Sequence, residues 1–346
     1  MNLPIIPSLD QACMASARAR QDTLTKPQGS LGRLEELSIQ LAGIYGQPIP
    51  SIQEKVIIVM AGDHGVVAEG VSAFPQEVTP QMVLNFLNGG AAINVLARQA
   101  GARITIVDMG VAVEMPLHPG LLVRKVAPGT RNMAIGPAMT RAQAEQVIQA
   151  GIEVVEAEIA RGLDVVATGD MGIGNTTPSA AIAAAFTGQP PAQIAGRGTG
   201  LDSAGLERKI AVIERALAVN QPNPQDGLDV LAKVGGFEIG GLAGVMIGAA
   251  AHRKAVVVDG FISTAAAMIA VSLCPQVKPY LIAAHRSKEN GHGIMLDWLG
   301  VKPLLDFDLR LGEGTGATLA LPILEASLAI LREMATFGEA GVSEKG

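Results

Sequence analysis

Residues 163–186 read LDVVATGDMGIGNTTPSAAIAAAF. A β-branched apolar run gives way to a glycine turn and then to an alanine-rich stretch. Valines suit a strand, Gly172 and Gly174 permit a tight reversal, and alanine is the best helix former. Asn175, Thr176, Thr177 and Ser179 bring polar side chains and free N–H groups to a helix start. Pro178 suits the first helical turn, where its missing donor is not needed. A strand that ends in such a turn and runs directly into a helix is half of a βαβ unit.

The same rhythm recurs along the chain. KVIIVM (55–60) leads into AGDHG, RITIVD (103–108) into MGV, AVVVDG (255–260) into an apolar helical pattern, and PYLIAAH (279–285) into RSKENGH. The expected fold is α/β, a Rossmann-like parallel sheet flanked by helices. Composition agrees: 49% of the 346 residues are hydrophobic but only 3% are aromatic, so the core is built from Ala, Val, Ile and Leu. That mix fits a parallel sheet buried on both faces better than a β-sandwich. The two ends read differently, with a polar helical pattern over 8–24 and a helical pattern over 318–334 that Pro322 interrupts. The expected organisation is a large α/β domain, 25–317, and a small helical domain made from 1–24 and 318–346.

Several function classes are disfavoured at once. The formal net charge is −6 and no Lys/Arg run stands out, so no nucleic-acid partner is expected. Cys13 and Cys274 are too few for a disulfide scaffold, which points to a reducing cytoplasm. The first residues place no charged region ahead of an apolar run, so no signal peptide is expected. The longest apolar run, Phe261–Cys274, falls short of the roughly 20 residues a membrane span needs. His64, His118, His252, His285 and His292 show no H-x-x-x-H or H-E-x-x-H spacing, so neither a metal nor any other cofactor is expected. A Ser-His-Asp hydrolase is disfavoured by the lack of G-x-S-x-G.

Ligands of open parallel sheets bind beyond the carboxyl ends of the strands, so the turns hold the chemistry. The turn from Asp170 to Ser179 reads either as an anion site at a helix N-terminus or simply as a tight turn. GRGTGLDSAGLERK (196–209) is a second glycine turn, whose Lys209 either returns a cation to the same pocket or stays solvated. LGEGTGATLALP (311–322) sets Glu313 between Gly312 and Gly314. Its glycines suit a phosphate cradle, yet a carboxylate there repels phosphate. A carboxylate in an apolar pocket has a raised pKa and serves as a base, whereas at a helix start it can merely complement the dipole. A nicotinamide-cofactor oxidoreductase would need G-x-G-x-x-G with an acidic residue about 20 positions on. A non-catalytic nucleotide sensor would have no use for Glu313.

KPQGSLGRLE, AGDHGV, GDMGIGNTTP, NQPNPQDGLDVLAKVGG, HRSKENGH and RLGEGTGATLALP occur in that order. With these motifs the chain resembles the nicotinate-nucleotide–dimethylbenzimidazole phosphoribosyltransferases of the cobalamin lower-ligand pathway over nearly its whole length. The resemblance implies a homodimer with a small helical domain from both termini. It implies transfer of the 5-phosphoribosyl group of nicotinate mononucleotide to a benzimidazole-type base, with Glu313 as general base. It assigns the nucleotide and its phosphate to Asp170, Gly172, Gly174, Asn175, Thr176, Thr177 and Ser179, together with Lys209 and Gly314. Asp170 stands where many relatives carry Glu, one methylene shorter, which leaves it the ribose or the turn to hold. Phe74, Met82 and Met171 are implied to line the base pocket, where large soft side chains predict tolerance for several azoles.

Overall fold

In the computed structural model, which describes residues 1–343, the chain opens with α1 (Gln11–Thr23) and α2 (Arg33–Tyr45). β1 (Lys55–Gly62) is joined through α3 (Val78–Leu87) and α4 (Ala92–Ala100) to β2 (Ala102–Gly110). The short β3 (Leu121–Val123) precedes α5 (Arg141–Ala160) and β4 (Val165–Met171). A long helical excursion follows: α6 (Thr176–Thr187), α7 (Pro191–Ile194), α8 (Ser203–Asn220), α9 (Gly227–Val234) and α10 (Phe237–Ala251). β5 (Ala255–Val258), α11 (Phe261–Leu273) and β6 (Leu281–Ala283) then complete the sheet. α12 (His292–Leu299), α13 (Thr315–Glu333) and α14 (Phe337–Ala340) come last.

The sheet is parallel throughout, in the order β3-β2-β1-β4-β5-β6. This is the expected Rossmann-like architecture. The chain leaves β1 towards one edge and returns through β4 towards the other, so a crevice opens at the carboxyl ends of those two strands. Both strands are buried along almost their whole length, which is why they read as unbroken apolar runs rather than alternating ones. β3 was not foreseen: a three-residue LLV stretch paired to β2 alone carries too little periodicity to register.

α13 begins at Thr315, earlier than the periodicity suggested, and this brings Glu313 to the helix start. Pro322 does not interrupt it, because the residue lies on the exposed face and the helix runs on to Glu333. By length and composition alone α13 could cross a membrane, but its apolar face is covered by α2, α4 and β4. The two ends of the chain meet. Ala17 of α1, Ile39 and Ala42 of α2 and Leu331 of α13 form a small core of their own, with Met14 against it. Arg20 donates to the Leu331 and Arg332 carbonyls at 2.6 and 3.1 Å, satisfying acceptors that the last turn of α13 leaves open. α2, inside the 25–317 span, packs with these terminal helices.

α10 packs beneath the sheet against α5 with the two backbones in contact. A Cβ on Gly151 would stand 2.8 Å from the Gly241 carbonyl carbon and 3.0 Å from Gly244 Cα. Gly151→Ala is therefore expected to lower stability by about 1–3 kcal/mol through overpacking. Urea unfolding checks this, with a lowered midpoint and an unchanged slope.

Candidate active site

The end of β4 and the turn into α6, the segments that follow β5 and β6, α3 and the loop that leads into α13 surround a cavity of about 320 Å³. Its most unusual backbone belongs to Glu313. Gly312, Glu313 and Gly314 have φ of +82°, +63° and +88°, three left-handed residues in succession. For a glutamate this conformation costs about 1–2 kcal/mol, and it persists only where the surroundings over-determine it. Two features do so here. Asp259, just beyond β5, accepts the Gly314 N–H at 3.2 Å and the Ala317 N–H at 2.8 Å, capping a helix whose own N-cap is a glycine. Gly169 of β4 leaves room for the Glu313–Gly314 peptide, whose carbonyl oxygen would stand 2.5 Å from any Cβ there.

Glu313 is thus only 5% exposed, with Oε2 unpartnered, and it lines the cavity. Burial raises its pKa above the usual carboxylate range and the charge on Asp259 adds to this, while the Ile93 N–H in the first turn of α4 pulls the other way. Asp170 faces the same cavity from the end of β4. Asn175 donates to its Oδ2 at 2.9 Å, and its carboxyl lies against Gly312. Burial pushes its pKa well above normal, with Asp259, Glu238 and Glu313 contributing in the same direction.

On the other flank Lys209 of α8 is fully buried, donating to Thr176 Oγ1 at 2.6 Å and to the Gly196 carbonyl at 3.2 Å. Burial pushes its pKa down to about 8, against the pull of Glu289. The ammonium stands directly behind Thr176 and Gly198, which line the cavity. The opposite wall is apolar, made by Phe74, Val78, Met82, Met171 and Ile262.

Of the residues expected at the site, Asp170, Gly172, Asn175, Thr176, Glu313, Phe74, Met82 and Met171 all line this one cavity. Gly314 and Lys209 lie immediately behind it, and Gly174 shapes the turn with φ of +85°. Thr177 and Ser179 do not line it. Each successive helical residue turns about 100°, so Thr176 faces the cavity while Thr177 and Ser179 are directed into the core. The Ser179 hydroxyl donates back to the Asn175 carbonyl at 2.9 Å.

Sequence reasoning passed over Asp259, Ser287, Glu289 and Arg310. Asp259 had a signal, since it ends a strand as Asp63 and Asp170 do. Arg310 lines the cavity and donates to the Gly198 carbonyl at 3.0 Å. His285 lines the cavity with Nε2 3.7 Å from Asp259 Oδ1. Among the described residues no group of three or more His, Cys, Asp or Glu is arranged to hold a metal ion.

The family model described as "Phosphoribosyltransferase" matches residues 6–342, and the chain belongs to that family. It is 63% identical over 337 residues to the nicotinate-nucleotide–dimethylbenzimidazole phosphoribosyltransferase of Roseiflexus sp. (strain RS-1), covering 97% of this chain and 96% of that protein. The enzyme of the same name from Chloroflexus aggregans (strain MD-66 / DSM 9485) is 61% identical with the same coverage. The crystal structure of CobT from Thermus thermophilus matches with a TM-score of 0.93 at 51% identity, over 96% of this chain and 100% of that one.

The contact between Gly169 and the Glu313 peptide can be tested directly. Gly169→Ala is expected to lower turnover about 100-fold by displacing Glu313. Affinity for a nucleotide should stay within twofold, as titration calorimetry beside the kinetic assay will register.

Proposed function

We propose that the chain transfers the 5-phosphoribosyl group of nicotinate mononucleotide to 5,6-dimethylbenzimidazole or a related azole. The products are α-ribazole 5′-phosphate, a precursor of the cobalamin lower ligand, and nicotinate. One observation carries this reading. A buried carboxylate with one unpartnered oxygen, Glu313, is held in a strained backbone between an apolar wall and a polar helix-start turn. The relatives' names suggest the substrates, and the polar and apolar sides of the cavity support this reading.

The phosphate meets the first turn of α6 at Thr176, with the Lys209 ammonium behind it. The azole lies flat against Phe74, Met82 and Met171, which select by shape. Attack of the azole nitrogen on C1′ forms the new C–N bond as the bond to the pyridinium ring breaks. The departing electron pair neutralises that ring, which leaves as nicotinate. Entry and departure on opposite faces invert C1′ from β to α. The azole becomes cationic, and Glu313 removes its other N–H proton. Burial favours the protonated form of Glu313, so the carboxylate is a stronger base than one in water. The homodimer, and the division into a large α/β unit and a small unit from the two termini, belong to the same reading.

Glu313→Gln tests the base. Nicotinate release and α-ribazole phosphate formation should fall by about 10²–10⁴-fold. Binding of nicotinate mononucleotide should be retained, and unchanged turnover would refute the assignment.

Lys209 sets the alkaline limit. A lysine holds phosphate while protonated, and its pKa of about 8 means that the charge is present below that pH and lost above it. In the free enzyme kcat/KM for the nucleotide is therefore expected to decline above pH 8, on the order of tenfold per pH unit once the group is deprotonated. In Lys209→Gln the value should be lower throughout and this alkaline limb absent. A pH–rate series on both proteins checks it.

A further inference from the structure

Beneath the floor of the cavity lies a buried pair that the reaction scheme does not use. His64 follows β1 and Glu238 stands in the first turn of α10, with His64 Nε2 2.9 Å from Glu238 Oε1. The side chains are 1% and 0% exposed. Burial alone would lower the pKa of His64, but Glu238, assisted by Asp63, overrides it and the value is raised. A buried ion pair of this kind is a weak source of stability, because desolvation offsets most of the attraction.

The packing shows what the pair supports. Gly236 makes room for it: a Cβ there would stand 2.5 Å from His64 Cε1 and 2.6 Å from Glu238 Oε2. A Cβ on Gly62 would stand 3.0 Å from Glu238 Oε2. From above comes Gly172, whose Cβ would run into the Gly62 carbonyl and stand 3.2 Å from His64 Nε2. Gly172 belongs to the turn that lines the cavity on its nucleotide side. The base of this stack is itself fixed. His64 pairs with Thr130 in a β-bridge, Asp63 N–H donates to the Gly110 carbonyl at 2.9 Å, and Gly65 N–H to the Thr130 carbonyl at 3.1 Å.

We propose that His64 and Glu238 are positioning residues for the nucleotide turn. The imidazole, held by Glu238, is the shelf that sets the height of the Met171–Gly172–Ile173 backbone against the donor nucleotide. The inference rests on the donor-site reading above. It places the main effect of the pair on the nucleotide, since the azole wall takes only Met171 from this segment and Phe74 and Met82 from elsewhere.

The test uses the full chain: wild type, Glu238→Gln, His64→Ala, His64→Gln and Gly172→Ala. Calorimetric Kd for nicotinate mononucleotide is measured beside steady-state KM for each substrate. Glu238→Gln and His64→Ala are expected to weaken nucleotide binding at least tenfold while the KM for dimethylbenzimidazole stays within twofold. Gly172→Ala, pressing on the Gly62 carbonyl and on His64 Nε2 beneath the turn, should do the same. His64→Gln, which keeps a donor towards Glu238, should recover most of the affinity. Reduced kcat with Kd and both KM values unchanged would overturn the proposal, since a merely structural defect lowers only the active fraction. A rise in both KM values together would overturn it too. If the pair variants do not fold, Gly172→Ala decides alone, and an unchanged Kd refutes the shelf. A wild type that binds no nicotinate mononucleotide would take down the donor reading and this inference with it. That result is separable from the others because calorimetry does not depend on turnover.

Discussion

The Asp259 carboxylate accepts the N–H groups of Gly314 and Ala317, and the reactive end of the molecule hangs from those two bonds. A helix start leaves N–H groups without partners, and normally the N-cap side chain takes one of them. The N-cap of α13 is a glycine in the left-handed region, so it has no side chain to offer. The cap arrives instead from the end of β5, which couples the helix to the sheet. The left-handed run at 312–314, otherwise a strained excursion, becomes the conformation that satisfies both partners. Glu313 is fixed by its main chain before its side chain makes any contact.

The same arrangement distributes charge. Asp170, Asp259 and Glu313 are buried close to one another, and Glu238 acts on Asp170 from below. Carboxylates so placed resist being ionised together, and their titrations are coupled. Asp259 has two N–H donors and His285 beside it, so negative charge is best accommodated there. Asp170 has the Asn175 amide for one oxygen, and Glu313 has the Ile93 N–H on one side and an unpartnered Oε2. Asp170 is pushed furthest towards its protonated form, and Glu313, also raised by burial, lines the cavity together with the apolar residues.

Legibility in the sequence followed the range of the interactions. β1, β4 and β5 announce themselves because burial on both faces removes the alternation of a half-exposed strand, and β2 does so by its β-branched ITIV stretch. Glu313 stood out because a charged residue between two glycines is locally odd. Asp259 did not, since its partners lie 55 and 58 residues further along and only the folded sheet brings them together. Thr177 and Ser179 were grouped with Thr176 by proximity in sequence, but the phase of the helix separates them. Nothing local marked Phe74 or Met82 as neighbours of a shared cavity, and a cation returned to the pocket was only one of two open local readings of Lys209. They were reached through resemblance to a family, and geometry then brought them together or one layer apart. Glu238 escaped both routes, being an ordinary glutamate at the start of an apolar helix.

The division of the cavity into a polar and an apolar side follows the path that one positive charge takes in the proposed reaction. It begins on the pyridinium ring, spreads to C1′ as that bond loosens, passes to the azole and ends as a proton on Glu313. Carboxyl groups of low charge compensation, set in a poorly polarisable cavity, interact more strongly with such a charge than they would in water. A wall of methionine and phenylalanine accepts the neutral azole before attack without competing for the charge that forms later. In the proposed reaction the phosphate sits at Thr176 with the buried Lys209 behind it, so the cation that would grip the nucleotide is kept off the axis along which the other must travel. On that proposal the left-handed run at 312–314 gives the base a loop of its own, apart from the turn that would hold the phosphate.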